Sequence, residues 1–139
     1  MPAEFFLDTN VFVYTFDRQE PDKQARARSL VERALGTGDG VVSSQVVQEF
    51  LNVALQKFER PLSEEQALRY LREVLDPLCL VFPSISLYET AVSLCRRWRF
   101  SFYDSLTVAA ALESKCNVLY SEDFQDGQEI ESLTIVNPF

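Results

Sequence analysis

The sequence contains no histidine among its 139 residues. This absence excludes Ser-His-Asp and Cys-His nucleophilic catalysis, a histidine general base and zinc sites built on imidazole. Any hydrolytic chemistry must therefore depend on carboxylates, hydroxyls, lysine or a hard metal ion.

Cysteines and long apolar runs are also scarce. The three cysteines (Cys79, Cys95 and Cys116) cannot all pair and have no metal-type spacing, so a disulfide framework is not expected and a reduced setting is favoured. No apolar run approaches the roughly 20 residues that span a bilayer, and the N-terminus has no basic segment before an apolar stretch. We therefore expect a soluble, cytoplasmic protein with no membrane partner.

Length and charge narrow the possibilities further. The chain is short enough to form one domain over residues 1–139, and its 47% apolar residues can supply a full core. It contains no repeat, low-complexity segment or linker. A net charge of −8 argues against a protein that coats nucleic acid by neutralising phosphates, but an enzyme whose acids are masked by bound cations stays possible.

Short apolar segments alternate with helical patterns along the chain. Strands are predicted at residues 4–7, 41–42, 79–82, 118–120 and 134–136, and helices at 22–35, 45–58, from 63, after 86 and at 102–115. Ser63 and Ser86 each begin a capping-box pattern. Short strands separated by helices predict an α/β fold whose parallel sheet is covered on both faces, with ligands bound at the carboxyl ends of the strands.

Four acids lie where that edge is expected. Asp8 closes the first strand, Glu49 borders the apolar stripe of the helix 45–58, Asp104 lies in the first turn of the last helix, and Asp123 follows the strand 118–120. Each also has a purely structural interpretation. Asp8 and Asp104 suit helix N-termini, the Glu49 side chain could extend to solvent at the stripe edge, and Asp123 belongs to an acidic surface segment.

Four carboxylates from four elements would repel one another at close range unless a cation joined them. Mg²⁺ and Mn²⁺ take carboxylate and water ligands and need no histidine or cysteine. Such a site can lower the pKa of a bound water and hold both oxygens of a phosphodiester during in-line attack.

The chain resembles the PIN domain family, and within it the VapC-type ribonuclease toxins of toxin–antitoxin pairs. The resemblance covers residues 5–136 and depends on the four stretches FLDTNV (6–11), VVQEFLN (46–52), SFYDS (101–105) and LYSEDF (119–124). Each stretch alone is a weak signal, but four in the same order make a specific match.

The resemblance implies a three-layer α/β/α sandwich and cleavage of RNA that depends on Mg²⁺ or Mn²⁺. Asp8, Glu49, Asp104 and Asp123 match the catalytic acidic quartet; Asp8, Asp104 and Asp123 would contact metal, and Glu49 would act directly or through water. Asn10 and Ser121 would support these acids, and Asp126 could share the role of Asp123. A small cognate antitoxin and a homodimer are also implied.

RNA binding requires positive charge near the acids. Arg96, Arg97 and Arg99 lie with Trp98 and Phe100 just before Asp104, where arginines can contact phosphates and exposed aromatics can stack on unpaired bases. The alternative is that both aromatics belong to the core and the arginines are ordinary surface.

Three other functions remain open. A structure-specific DNA nuclease of the same fold usually needs a longer chain, and an inactive PIN-like binding module would not need all four acids. A phospho-acceptor signalling domain would need paired acids after its first strand and a lysine at a late strand end, whereas Asp8 is alone and the last lysine, Lys115, precedes a strand.

Overall fold

The computed structural model describes residues 3–139 and shows an α/β fold. A six-stranded sheet has the order β3-β2-β1-β4-β6-β5. All neighbouring strands are parallel except β5 and β6, which are antiparallel. The strands are β1 Phe5–Leu7, β2 Gly40–Ser43, β3 Cys79–Val81, β4 Val118–Tyr120, β5 Glu129–Ile130 and β6 Leu133–Val136. The five predicted strands are confirmed to within two residues at their ends, and β5 is an additional strand that the sequence pattern does not predict.

Seven helices flank the sheet in the described part of the chain. They are α1 Thr9–Tyr14, α2 Pro21–Thr37, α3 Ser44–Gln56, α4 Glu64–Tyr70, α5 Asp76–Leu78, α6 Ile85–Trp98 and α7 Phe102–Glu113. A π-helical turn at Leu71–Leu75 joins α4 to α5. Pro77 lies just after this turn, where its missing N–H and its ring would disturb a regular α-helix, and the wider turn accommodates it.

The core lies around the centre of the sheet. Every residue of β1 and β2 is buried, which agrees with strands covered on both faces. The edge strand β3 differs, because Leu80 is 64% exposed and Phe82, just beyond the strand, is 61% exposed. The sheet is therefore less deeply buried at this edge than at β1 and β2.

The predicted start of α6 is also wrong. Ser84, rather than Ser86, is the N-cap, and its Oγ accepts the N–H of Leu87 at 3.0 Å. The buried face of the helix already begins at Leu87. The helix must therefore begin before Leu87. The Leu87 N–H has no partner within the helix, and a cap three residues earlier satisfies it.

No helix within residues 3–139 is long and apolar enough to cross a bilayer.

Candidate active site

Asp8 occupies the centre of the candidate site, at the carboxyl end of the middle strand β1. Its backbone N–H extends the β1–β4 pairing by donating to the Tyr120 carbonyl at 3.1 Å. The side chain is only 6% exposed. Its Oδ1 accepts the N–H of Thr9 at 2.7 Å and thereby caps α1. The Asp8 carboxylate therefore caps α1 and also lies at the sheet edge where the candidate site is expected.

Ser121 joins the ends of β1 and β4. This fully buried hydroxyl donates to Asp8 Oδ2 at 2.7 Å and accepts the N–H of Asp123 at 3.1 Å. One side chain therefore orients the Asp8 carboxylate and fixes the backbone that carries Asp123.

Glu49 reaches the same edge from the second turn of α3. Its Oε1 accepts the hydroxyl of Thr9 at 3.2 Å, which links α3 to the start of α1. Asp104 comes from the first turn of α7, where the Ser101 hydroxyl caps the helix by accepting the N–H of Asp104 at 3.1 Å. The Ser101 cap therefore leaves the carboxylate of Asp104 free for another role.

The four acids influence one another electrostatically. The pKa of Asp8 is raised to about 6, chiefly by burial and also by the charges of Asp123 and Glu49, while the Ser121 and Thr9 hydrogen bonds act in the lowering direction. Burial also raises the pKa of Glu49, with contributions from the charges of Asp123 and Asp104. We call Asp8, Glu49, Asp104 and Asp123 the acidic quartet.

The surroundings of Asp123 add to this coupling. Partial burial raises the pKa of Asp123, and the charges of Glu122 and Asp104 raise it further, while a contact with Asn10 lowers it. The side-chain amide nitrogen and oxygen of Asn10 are both buried, and neither makes a hydrogen bond of normal length and angle. Asn10 is therefore an underused polar group beside the acids, available to a ligand there.

Within residues 3–139 no basic side chain forms an ion pair with the acidic quartet. The two ion pairs found in residues 3–139 are Lys23–Glu122 and Arg69–Glu73. Glu122 also accepts the Tyr14 hydroxyl at 2.6 Å, so this acid is bound to α1 and α2 instead of joining the quartet. A positive charge at the quartet has to come from outside the chain.

The donor set suits a hard divalent cation, because it consists of carboxylate and neutral oxygens. Within the described residues, however, no three acidic or cysteine side chains already converge as the ligands of one ion. The chemistry of the site therefore fits a metal, whereas its side chains would have to rotate to bind it.

The structure does not bring every candidate residue to the quartet. The Asp126 side chain accepts the N–H of Asn137 at 2.8 Å and pins the loop after β4 to the chain end. Trp98 and Phe100 are partly buried against the core, and Phe100 packs on Phe124. These two rings have the core role that the sequence left open, so they are poorly placed to stack on bases.

The nearby arginines remain on the surface. Arg96, Arg97 and Arg99 are exposed, and the Arg97 guanidinium lies 5.4 Å from the centre of the Trp98 ring. None of the three forms an ion pair within residues 3–139. Their charges are therefore available to a polyanion.

Two residues at the site are not predicted by the sequence patterns. Thr9 donates its hydroxyl to Glu49 and its backbone N–H to Asp8, and the amide of Gln45 lowers the pKa of Glu49. Gln45 lies four residues before Glu49, which places both on one face of α3. That spacing is the signal from which Gln45 could have been found.

Comparison with known protein families identifies the fold. A PIN domain model matches residues 5–125, which is most of the chain. The chain belongs to the PIN domain family. No curated protein sequence is significantly similar to it.

Solved structures share this PIN fold over nearly the whole chain. A chain of a toxin–antitoxin complex from Klebsiella pneumoniae has a TM-score of 0.69 at 19% identity, covering 99% of this chain and 98% of that one. A chain of DNA-bound VapBC from Salmonella typhimurium has a TM-score of 0.67 at 18% identity, covering 99% of both. VapC20 of Mycobacterium tuberculosis, a toxin that cleaves the sarcin–ricin loop, has a TM-score of 0.61 at 15% identity, covering 86% of this chain and 90% of that one. The predicted α/β fold with a central, mostly parallel sheet is confirmed.

Proposed function

We propose that this PIN domain is a divalent-metal-dependent endoribonuclease, and that it is the toxin of a type II toxin–antitoxin pair. The observation that carries the proposal is the acidic quartet, in which four carboxylates from four elements are coupled without a basic partner. PIN nucleases generally use divalent metals, and repulsion within the quartet supplies the reason to bind Mg²⁺ or Mn²⁺ here.

Each residue of the site has a distinct proposed task. Asp8, Asp104 and Asp123 would hold the metal, and Glu49 would act directly or through a water molecule. A divalent ion held by these residues would lower the pKa of a bound water and offset charge on the phosphodiester. Ser121 holds the Asp8 carboxylate in one orientation, since it donates to Oδ2 at 2.7 Å.

Neighbouring residues complete the proposed site. Thr9 fixes the direction of Glu49 through its hydroxyl, and Asn10 contacts Asp123 and can orient it. The exposed side chains of Arg96, Arg97 and Arg99 would contact RNA phosphates. Asp126 would act on the loop that carries Asp123 instead of on the metal, because its carboxylate is engaged by Asn137.

The choice of substrate and partner is supported by the fold neighbours. One of them is a toxin described as cleaving an RNA loop, and others come from toxin–antitoxin complexes. We therefore propose RNA as the substrate, a small antitoxin as the partner and a homodimer as the assembly, in the cytoplasm. DNA cleavage by the same site is the alternative that the experiment separates.

The test compares cleavage by purified variants in Mn²⁺ and in EDTA. Asp8→Asn and Asp104→Asn should each lower RNA cleavage by about 100-fold or more, because each removes a charged metal ligand together with its hold on the activated water. Asp22→Asn, an exposed acid in the first turn of α2, is the matched control and should cleave normally. Single-stranded DNA of the same sequence should be cut poorly.

Three outcomes would contradict the proposal. They are undiminished RNA cleavage by either quartet variant, equal cleavage in EDTA and in Mn²⁺, and faster cleavage of DNA than of RNA. Asp126→Asn should stay close to wild type, and a loss as large as that of Asp104→Asn would assign the fourth acid to Asp126.

A further inference from the structure

An apolar groove lies beside the acidic quartet, between α3, the end of β3 and the first turns of α6 and α7. Its volume is about 350 Å³. Its aromatic lining consists of Phe82, Tyr88, Phe102 and Tyr103, which are 61%, 36%, 40% and 67% exposed. A concave group of uncovered aromatic rings of this kind marks a binding site on a soluble protein surface.

The groove and the quartet share a wall. Tyr103 directly precedes Asp104, and Gln48 directly precedes Glu49. Gln45 connects the two sides, because its Nε2 donates to the Tyr103 carbonyl at 3.2 Å and its amide lies close enough to Glu49 to lower the pKa of that acid. A molecule in the groove would therefore contact the same turns of α3 and α7 that carry Glu49 and Asp104.

The polar groups at this wall suit a heterocycle. Gln48 lines the groove, is exposed and makes no side-chain hydrogen bond within residues 3–139. Its amide offers two donors and one acceptor, which is the combination that pairs with the edges of nucleobases. Aromatic faces beside a free amide can thus stack on a base and read its edge.

The charge of the molecule favours the same occupant. With a net charge of −8, the protein has little general attraction for RNA, so stacking on a base would add affinity to the few phosphate contacts that its arginines can make. A second depression, of about 430 Å³ over α4 and the π-helical turn, is lined by charged side chains and Leu68. It contains no aromatic ring and no member of the quartet.

We propose that the groove binds an unpaired RNA base adjacent to the phosphodiester at the quartet, with Tyr103 as the main stacking residue and Gln48 as the residue that reads the base edge. The inference rests on the proposed function, because it takes RNA as the substrate. It restricts that substrate to single-stranded or looped RNA, since a paired base cannot enter the groove.

The test measures binding of a short single-stranded RNA oligonucleotide by fluorescence anisotropy in EDTA, which prevents metal-dependent cleavage. Tyr103→Ala should weaken binding by about ten-fold, the size typical of losing one base–aromatic stack. Tyr103→Phe keeps the ring and should bind as wild type does. Val92→Ala is the control, since Val92 is 55% exposed and lies outside the groove lining.

An abasic oligonucleotide of equal charge separates base contacts from phosphate contacts. Wild type and Tyr103→Ala should bind it equally weakly, and Gln48→Ala should change the preference among base sequences. Equal affinity of wild type and Tyr103→Ala for the intact oligonucleotide would overturn the inference. The inference would also be overturned if Tyr103→Ala lowered affinity for the abasic oligonucleotide as much as it lowered affinity for the intact one.

Two further results keep this inference separate from the proposed nuclease activity. If wild type binds the oligonucleotide through Tyr103 but does not cleave it in Mn²⁺, the nuclease proposal fails and the base site stands. If Tyr103→Ala changes the oligomeric state seen by light scattering while RNA affinity is unchanged, the groove is an interface between copies and the base site is refuted.

Discussion

The carboxylate of Asp8 combines burial, capping and charge repulsion in one side chain. Its pKa rises from 3.8 to about 6, mainly through burial, so the folded state binds this proton more tightly than the unfolded chain does. The resulting stabilisation is present below pH 3.8 and is lost as the pH rises through about 6. The shift corresponds to about 3 kcal/mol.

The expected result is a metal-free protein whose free energy of unfolding falls between pH 4 and pH 7. Asp8→Asn should flatten this dependence and be about 1–2 kcal/mol more stable than wild type at pH 7, because losing the buried charge outweighs the weaker bond from Ser121. Urea unfolding in EDTA at several pH values measures both quantities. Asp22→Asn should reproduce the wild-type slope, and an Asp8→Asn protein less stable than wild type at pH 7 would refute the argument.

The positions of the acids can be predicted from the sequence, but not all of their contacts. Asp8 and Asp123 follow apolar strands, and parallel strands bring their carboxyl ends to one edge. Ser121 is expected beside them only as a supporting residue, and its bridging position depends on the register of β1 against β4. Thr9 escapes prediction because its hydroxyl reaches Glu49 across 40 residues of sequence, which no local pattern encodes.

At the scale of elements, the packing of α2 on β2 depends on Gly40. A Cβ added there would lie 2.4 Å from the Ala34 Cβ and 2.8 Å from a ring carbon of Phe5. Ala34 and Phe5 are both buried, so neither can move aside freely. The glycine is required by close approach of helix and strand, and not by its backbone conformation.

Gly40→Ala should therefore destabilise the fold by about 1–3 kcal/mol or more, as overpacking of a filled core does. Gly36→Ala is the matched control in the same part of the chain. Nothing lies within 4 Å of a Cβ at Gly36, and within a helix the change should stabilise by up to about 1 kcal/mol. Thermal or urea unfolding of the two variants checks the opposite signs, and equal effects would contradict this packing.

Element boundaries follow from the sequence wherever local signals agree. Ser63 is predicted to cap a helix, and the complete capping box with Gln66 is present. At α6 the local signals compete, because Ser86 matches the box pattern while burial of Leu87 requires the earlier cap at Ser84. The strand β5 has two residues and pairs only with β6, so it depends on a tertiary contact and leaves no periodic signal.

At the scale of the whole molecule, positive charge is sparse and its location matters. Three of the 13 basic residues, Arg96, Arg97 and Arg99, lie on one exposed segment at the C-terminal end of α6, five to eight residues before Asp104. The partly buried rings of Trp98 and Phe100 fix that segment to the core. If RNA crosses the quartet, these arginines are the cations that its backbone meets in this region.

Replacing Arg96, Arg97 and Arg99 by Gln should weaken RNA binding and make its dependence on salt shallower, because a protein that neutralises fewer phosphates releases fewer counterions. The logarithmic slope should fall by about 0.7 for each phosphate of a single strand that is no longer neutralised. The matched control replaces Arg18, Arg60 and Arg72, which are exposed, so that both variants have the same net charge. Binding titrations at several salt concentrations measure the slopes. If the control lowers the slope as much as the test variant does, the effect is one of net charge alone, and the arginine segment at the end of α6 has no special role in RNA binding.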